Sequence, residues 1–491
     1  MRWVSLLASL LMLPSLVLAQ MVELDQGLLQ GERGQQSYRY LGVPYAAPPL
    51  AEKRWQKPGA APVWDGIRTA DTFGPACAQV GNFYADNNPA VFGKAYGSED
   101  CLYLNIWTPA RAASESAKPV LVFIHGGAGV YGAASLPAYD GTRLAVDANA
   151  VVVTFNYRLG IFGNLHLPAL HSGDPVSDSG YFSLLDQIAA LRWVQNNINQ
   201  FGGDPERVTV MGHSAGAFSV WLLMRSPLAT GLFQQAIALS GLPLMGERKH
   251  LLRHGESVVE RLGAGSLEGA ALREALYRKS TDELIEAGRG IKLEKPIIDG
   301  TVLTADGEGL LNSVPTILGG TDNEASFLLY IKDEEDRLRF WRRGQQQQQH
   351  AVARDELISS FSLMVLRTKS SLYNLAVNKA LDSAADQVVA SGQNAWRYRF
   401  VWDNYPEPWK GVFGAFHGLD VPFIFGNFAE DGNSYDGFAW QSGTREERVR
   451  LHRQWVHHIK HFLYAGQPDA NSWSAWQQNN HIKIFGEMPG E

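Results

Sequence analysis

Two glycine-rich turns, each placed directly after a short β-branched apolar run, constrain the fold of this chain more than any other feature. The first is His125-Gly126-Gly127-Ala128-Gly129, behind Val120 to Ile124; the second is Gly212-His213-Ser214-Ala215-Gly216, behind Val208 to Met211. A short apolar run closed by a turn reads as a strand buried on both faces, the pattern of a parallel sheet. Val151 to Phe155 has the same character. Between that run and Val208, the residues Leu184, Ile188, Leu191, Val194 and Ile198 recur at spacings of three and four until Gly202 and Gly203 stop the pattern. This predicts a helix, and strand, helix, strand predicts a βαβ unit. The expected fold class is therefore α/β, with a mostly parallel central sheet flanked by helices.

A length of 491 residues allows about three domains at roughly 150 residues each. No Gly/Ser or Pro-rich linker divides the chain and no repeat recurs at a fixed period, so one large domain over residues 20–491 is the expectation. The composition, 45% hydrophobic and 19% charged, is that of a well-cored chain and excludes disordered, fibrous and polytopic membrane classes. A formal charge of -7 opposes a phosphate-binding surface, so nucleic acid is not an expected partner. The one biased segment is Arg342-Arg343 followed by Gln345 to Gln349, read as a solvated loop or helix end. Its flanks, roughly 324–389, lack strand patterning and are expected to form a helical, cap-like insertion.

At the N-terminus, Arg2 precedes the 17 uncharged residues Trp3 to Ala19, fewer than the roughly 20 a spanning helix needs. Pro14 breaks that stretch, and Val17 and Ala19 supply small residues for a cleavage site. Residues 1–19 are thus read as a signal peptide cleaved after Ala19, giving a periplasmic or secreted protein that starts at Gln20. The chain holds two cysteines, Cys77 and Cys101, and in an oxidising compartment one disulfide between them is the natural reading. Two buried thiols become the better reading only if the N-terminal segment is not a signal. Closing such a loop of about 25 residues contributes roughly 3 to 4 kcal/mol on the chain-entropy account.

Strand, tight turn and helix-compatible Ala217 to Met224 are the setting of a nucleophile elbow, with Ser214 as the nucleophile. Glycines at both flanks permit the sharp turn and the close approach of neighbouring elements. A serine hydroxyl is a poor nucleophile near pH 7, so a base must take its proton and prepositioned donors must meet the oxyanion that forms. The turn at His125 to Gly129 is the candidate source of those donors; an ordinary glycine turn is the competing reading for it taken alone.

These residues, with Ser98-Glu99-Asp100-Cys101-Leu102-Tyr103-Leu104-Asn105, resemble the type B carboxylesterase and cholinesterase family of α/β-hydrolases. The resemblance runs from Gly42-Val43-Pro44-Tyr45-Ala46 and Arg54-Trp55, through Asn156-Tyr157-Arg158-Leu159-Gly160 and Phe201-Gly202-Gly203-Asp204-Pro205, to Phe423 to Gly426. It implies the α/β-hydrolase fold, a serine esterase acting on small-molecule esters through an acyl-enzyme, and a Ser, Glu, His triad in that chain order. Thr321 to Phe327 is similar to the family's acidic segment and nominates Glu324; Gly414 to Gly418 is similar to its histidine segment and nominates His417. The resemblance further assigns the N–H groups of Gly127, Ala128 and Ala215 to the oxyanion hole, Ser240 to support of the acid, and Cys77 and Cys101 to a family disulfide.

The chain departs from the family pattern at His213, where Glu is frequent and which is read as packing beside the elbow. Ala128 and Gly129 replace a glycine and an aromatic residue, and Tyr181 and Ser183 replace an Asn and a Gly. A Gly-Gly-Gly/Ala loop implies, by the same resemblance, acceptance of esters of tertiary alcohols. Two alternatives remain: a catalytically silent binding protein on this scaffold, and an amidase or thioesterase using the same triad. His457 and His461, four apart on an expected helix, lack a third ligand and are read as a polar face, so no metal is expected. No dinucleotide or Walker glycine motif occurs in a strand-to-helix setting, so no organic cofactor is implied. Trp396, Tyr398, Phe400 and Trp402 alternate, as a strand with an aromatic core face or as a lining of the approach to the site.

Overall fold

The computed structural model describes residues 20–110, 116–291, 295–304, 310–428 and 438–487; the expected signal, 1–19, lies outside them. Ten strands form the central sheet: β1 (Glu32–Arg33), β2 (Ser37–Pro44), β3 (Tyr103–Pro109), β4 (Lys118–Ile124), β5 (Val151–Phe155), β6 (Gly203–His213), β7 (Gln235–Leu239), β8 (Thr316–Thr321), β9 (Ala395–Phe400) and β10 (Ile482–Phe485). Their order across the sheet is β10-β9-β8-β7-β6-β4-β5-β3-β2-β1. The β1, β2 and β3 pairings and β3 with β5 are antiparallel; from β5 through β4 to β10 every pairing is parallel.

All seven residues of β4 are buried, as a strand covered on both faces requires. Val120, Val122 and Ile124 enter one core cluster and Leu121 and Phe123 the other, so the two cores lie on opposite faces of the sheet. The expected βαβ unit forms with a difference. Helix α2 (Phe182–Asn197; α1 is Thr142–Ala148) carries the chain from β5 to β6, but β4 lies between those two strands. The crossover steps over β4, and the strand order reverses there. Such a reversal opens a crevice at the carboxyl ends of the strands, where α/β sheets bind ligands. Both glycine turns sit at that place, because β4 and β6 are parallel neighbours with Gly212 opposite Ile124.

After β6 come α3 (Ala215–Arg225), then α4 (Arg248–Arg261), α5 (Gly269–Tyr277) and α6 (Thr281–Gly288) between β7 and β8. The last three went unread in the sequence, although Ser280 and Glu283 form a capping box at the start of α6. The expected 324–389 insertion is helical: α7 (Glu324–Tyr330), α8 (Glu334–Gln349) and α9 (Ser360–Ala390), with one short turn of helix between the last two. Gln345 to Gln349 are the last residues of α8, the helix end of the two readings. Trp396, Tyr398, Phe400 and Trp402 are all buried in one core cluster and line neither cavity at the site, which selects the strand reading.

Cys77 and Cys101 are joined in a disulfide, with their Cα atoms 5.0 Å apart. Next to its second cysteine, Glu99 accepts two hydrogen bonds from Arg54, at 2.5 and 2.6 Å, with both side chains buried. Among the described residues no helix is long and apolar enough to cross a membrane.

Candidate active site

Ser214 ends β6 and begins α3 with φ +55 and ψ -118, a conformation an L-residue adopts only when its surroundings impose it. Its N–H donates to Leu239 O at 2.8 Å and its carbonyl accepts from Phe218 N at 2.9 Å, so both sides of the turn are held. Glycine is required at the flanks on contact grounds. A Cβ on Gly212 would lie 2.2 Å from Gly216 O, and one on Gly216 would lie 2.0 Å from Ile124 O. The elbow is thus packed against the end of β4, beside the first glycine turn.

The structure brings Ser214, His417 and Glu324 together from three segments. Ser214 Oγ is 2.8 Å from His417 Nε2, and His417 Nδ1 hydrogen-bonds Glu324 Oε2. The other carboxylate oxygen, Oε1, accepts from Ser240 Oγ at 2.5 Å and from Thr321 N at 2.7 Å. Ser240 therefore touches the Glu324 carboxylate. A Cβ on Gly320 would come 2.4 Å from Glu324 Oε1, so β8 needs a glycine there for the carboxylate to fold back onto Thr321. The acidic and histidine segments are stitched by Asn323, whose N–H donates to Ala415 O at 2.9 Å and whose Nδ2 donates to Phe413 O at 2.9 Å. Asn374 on α9 donates in turn to Asn323 Oδ1 at 2.9 Å. Asn323 sits inside the acidic segment without being singled out there, and Asn374 carried no signal, because their partners are brought near only by the fold.

The charges are tuned in opposite directions. Burial alone pushes the Glu324 carboxyl up, but the facing imidazole and the hydrogen bonds from His417, Ser240 and Thr321 outweigh it and hold the pKa below the ordinary carboxylate value. For His417 burial acts downward, and the Glu324 charge and hydrogen bond, with Asp420 adding to them, bring the pKa above the usual 6.5. Asp420 is a fully buried carboxyl the sequence reading passed over. Its Oδ2 accepts from Tyr398 OH at 2.8 Å, and burial followed by the Glu324 charge pushes its pKa up to about 6. The His213 ring lies tilted against His417 with ring centroids 4.8 Å apart; burial and the His417 charge hold its pKa well below 6.5. It packs beside the elbow as a neutral ring.

In the first glycine turn, Gly127 and Ala128 have φ of +108 and +56, and Ala128 faces open space. Neither of their N–H groups donates to a protein acceptor among the described residues. Ala215 is the first residue of α3, where N–H groups have no partner within the helix and the helix dipole favours negative charge. Two cavities meet over Ser214, His417 and Ala128, of about 350 and 230 Å³. The larger is walled by Gly129, Phe218, Leu222 and, from α9, Tyr373 and Val377; the smaller by Phe83, Tyr84 and Phe327. The departures at Tyr181 and Ser183 hold the wall of the larger one: Tyr181 OH bridges the N–H and carbonyl of Ile297, and Ser183 Oγ donates to Arg158 O at 2.5 Å. Away from this site His457 pairs with Asp469 at 3.1 Å, and among the described residues no three His, Cys, Asp or Glu side chains gather as a metal site.

The sequence profile of the carboxylesterase family matches residues 18–485. Fumonisin B1 esterase of Sphingopyxis macrogoltabida is 32% identical over 95% of this chain and 86% of its own length. Para-nitrobenzyl esterase of Bacillus subtilis (strain 168) is 31% identical over 83% of each chain. A solved structure of a PNB esterase superposes with a TM-score of 0.78 at 28% identity, covering 95% of this chain and 96% of that one.

Proposed function

The chain belongs to the carboxylesterase family and is a carboxylic-ester hydrolase with the α/β-hydrolase fold; from that premise we propose that it works through an acyl-enzyme on Ser214, with His417 as general base and Glu324 as its orienting acid. The observation that carries this reading is the unbroken hydrogen-bonded relay from Ser214 Oγ through His417 to Glu324. It also disfavours a catalytically silent scaffold, which has no use for a strained serine facing an imidazole.

In the forward step Ser214 Oγ attacks the ester carbonyl carbon and gives its proton to His417 Nε2. The carbonyl oxygen becomes an oxyanion and accepts from the N–H groups of Gly127, Ala128 and Ala215. Collapse breaks the bond to the alkoxy oxygen, which takes the proton from His417 and leaves as the alcohol. Water then gives a proton to His417 and attacks the acyl carbon; collapse of that second intermediate returns the proton to Ser214 and releases the acid. Glu324 stays ionised throughout and stabilises the imidazolium.

The domain reading follows: one catalytic domain over 20–491, the 324–389 helices as its cap, and residues 1–19 as a cleaved export signal. Mass spectrometry on protein recovered from the periplasm or medium without reductant, after reaction with an organophosphonate, tests these assignments together. The expected result is a polypeptide beginning at Gln20, one adduct on the peptide containing Ser214, and no alkylation of Cys77 or Cys101. An adduct on another residue sinks the nucleophile assignment; an N-terminus upstream or free thiols sink the export reading.

Substrate tolerance follows from the oxyanion turn. Gly129 has no side chain and opens on the larger cavity, so the space an aromatic residue would fill is left to the substrate. A tert-butyl ester is therefore expected to be cleaved, more slowly than the primary ester of the same acid but well above the uncatalysed rate. Efficient primary-ester turnover with none on the tertiary ester would show that this loop does not set the tolerance.

A further inference from the structure

The oxyanion turn is gripped from a direction the mechanism does not use. Tyr131 lies four residues beyond Gly127; its N–H donates to Gly127 O at 2.9 Å, and a Cβ on Gly127 would strike Tyr131 O at 2.2 Å. The backbone of Tyr131 is thus the floor on which Gly127 rests. The Tyr131 side chain reaches the first turn of the cap helix α8. Its hydroxyl donates to Glu334 Oε1 at 2.7 Å and accepts from Arg337 Nη2 at 2.9 Å, while the Arg337 guanidinium stacks over its ring at 4.6 Å. Glu334 and Arg337 also bond each other, at 2.7 and 3.1 Å, with side chains 24% and 15% exposed. Every polar atom of the Tyr131 hydroxyl is therefore engaged by one ion pair. That pair is itself fixed, because Asp333 caps α8 and Phe340 buries fully among Phe327, Phe413 and Trp409.

We propose that Tyr131 is a positioning residue: through Glu334 and Arg337 it moors the Gly127 and Ala128 N–H groups to the cap, so that α8 sets how well the oxyanion is met. The inference rests on the esterase reading and adds to it a role for the cap in the chemical step. Donor placement is where a small displacement costs most, since an oxyanion donor is felt strongly in the transition state and little in the ground state. Carbonyl binding, by contrast, depends on the cavity walls. Tyr131 and Arg337 line the smaller cavity as well, so a small substrate that leaves that cavity empty must be used to separate mooring from contact.

The test uses the full mature chain, with a methyl or ethyl acetate-type ester and a trifluoromethyl ketone that forms a tetrahedral adduct. Tyr131→Phe keeps the ring and removes the hydroxyl. It is expected to lower kcat on the order of tenfold with KM within about twofold, and to weaken the ketone by the same factor. Arg337→Ala should do likewise, Arg337→Lys should recover part of the loss, and Tyr131→Phe with Arg337→Ala should fall no further than either alone. Phosphonate titration of Ser214 counts correctly folded sites in each variant. Unchanged kcat in Tyr131→Phe, a change confined to KM, or losses that multiply in the double variant would overturn the proposal. Failure of the esterase reading looks different: the unsubstituted protein itself would neither turn over the ester nor react with the phosphonate.

Discussion

Ser214→Ala is expected to lower ester turnover by about 10⁴-fold or more while leaving the fold and the affinity for substrate-like ligands intact. The expectation has a physical basis in what remains. The donors proposed at Gly127, Ala128 and Ala215 and the two cavity walls are backbone and neighbouring side chains that the substitution does not touch. They still bind the ester and favour attack by water, which is why the rate does not fall to that of free solution. What disappears is the covalent route and the hydroxyl that His417 Nε2 meets at 2.8 Å. Alanine and serine share the cost of a positive φ at this position, so the elbow backbone has no new reason to move. Steady-state kinetics on an activated ester, with circular dichroism and binding of the product acid as controls, decide it. A variant retaining more than about one per cent of the rate would place the nucleophile elsewhere.

Much of the framework was legible because it is local. The β4, β5 and β6 runs announce themselves as short β-branched segments closed by turns, and the helix between β5 and β6 by its spacing of apolar residues. The membership in the carboxylesterase family was equally plain, since its motifs are long. Several of those motif residues prove to be structural: Arg54 pairs with Glu99, and Arg158 holds Asp186 with hydrogen bonds of 2.7 and 2.8 Å, both buried. A motif therefore marks what the fold needs as readily as what the chemistry needs. The step of the crossover over β4 was not legible, because strand order is decided by contacts between segments far apart in the chain.

The parts of the site that escaped the sequence share a cause. Asp420 has no flanking pattern that singles it out; it becomes significant because the fold brings it against Tyr398 of β9 and into the field of Glu324 and His417. The mooring of Tyr131 by Glu334 and Arg337 is a contact between segments about 200 residues apart. The α4 to α6 helices are a different case. Their signals, a capping box and apolar residues at helical spacing, were present but weaker than those of the strands, and through His254 of the first of them they reach the larger cavity.

The electrostatics of His417 make the pH profile the sharpest remaining test. The groups that face the imidazole are Glu324, Asp420, His213 and Ser214. Two are anions or become so, and His213 is held neutral by its burial. In the proposed mechanism the base is the neutral imidazole, so kcat/KM is expected to fall as pH drops through the His417 pKa, and because that pKa is raised the midpoint of the acid limb is expected above 6.5. Asp420, with its carboxyl near 6, is ionised over the upper part of the limb and reinforces the shift. Glu324→Gln separates the two contributions. The amide is isosteric but carries no charge, so burial is left opposed only by Asp420, and the limb should move to lower pH. At the same time the maximal rate should fall by about 10⁴-fold, since an amide at that position can hold the imidazole in the wrong tautomer. The two effects have opposite consequences for activity in acid, which makes the pair hard to imitate by simple misfolding. A midpoint below 6.5 in the unsubstituted enzyme, or a Glu324→Gln profile whose acid limb does not move, would show that Glu324 does not set the charge on His417.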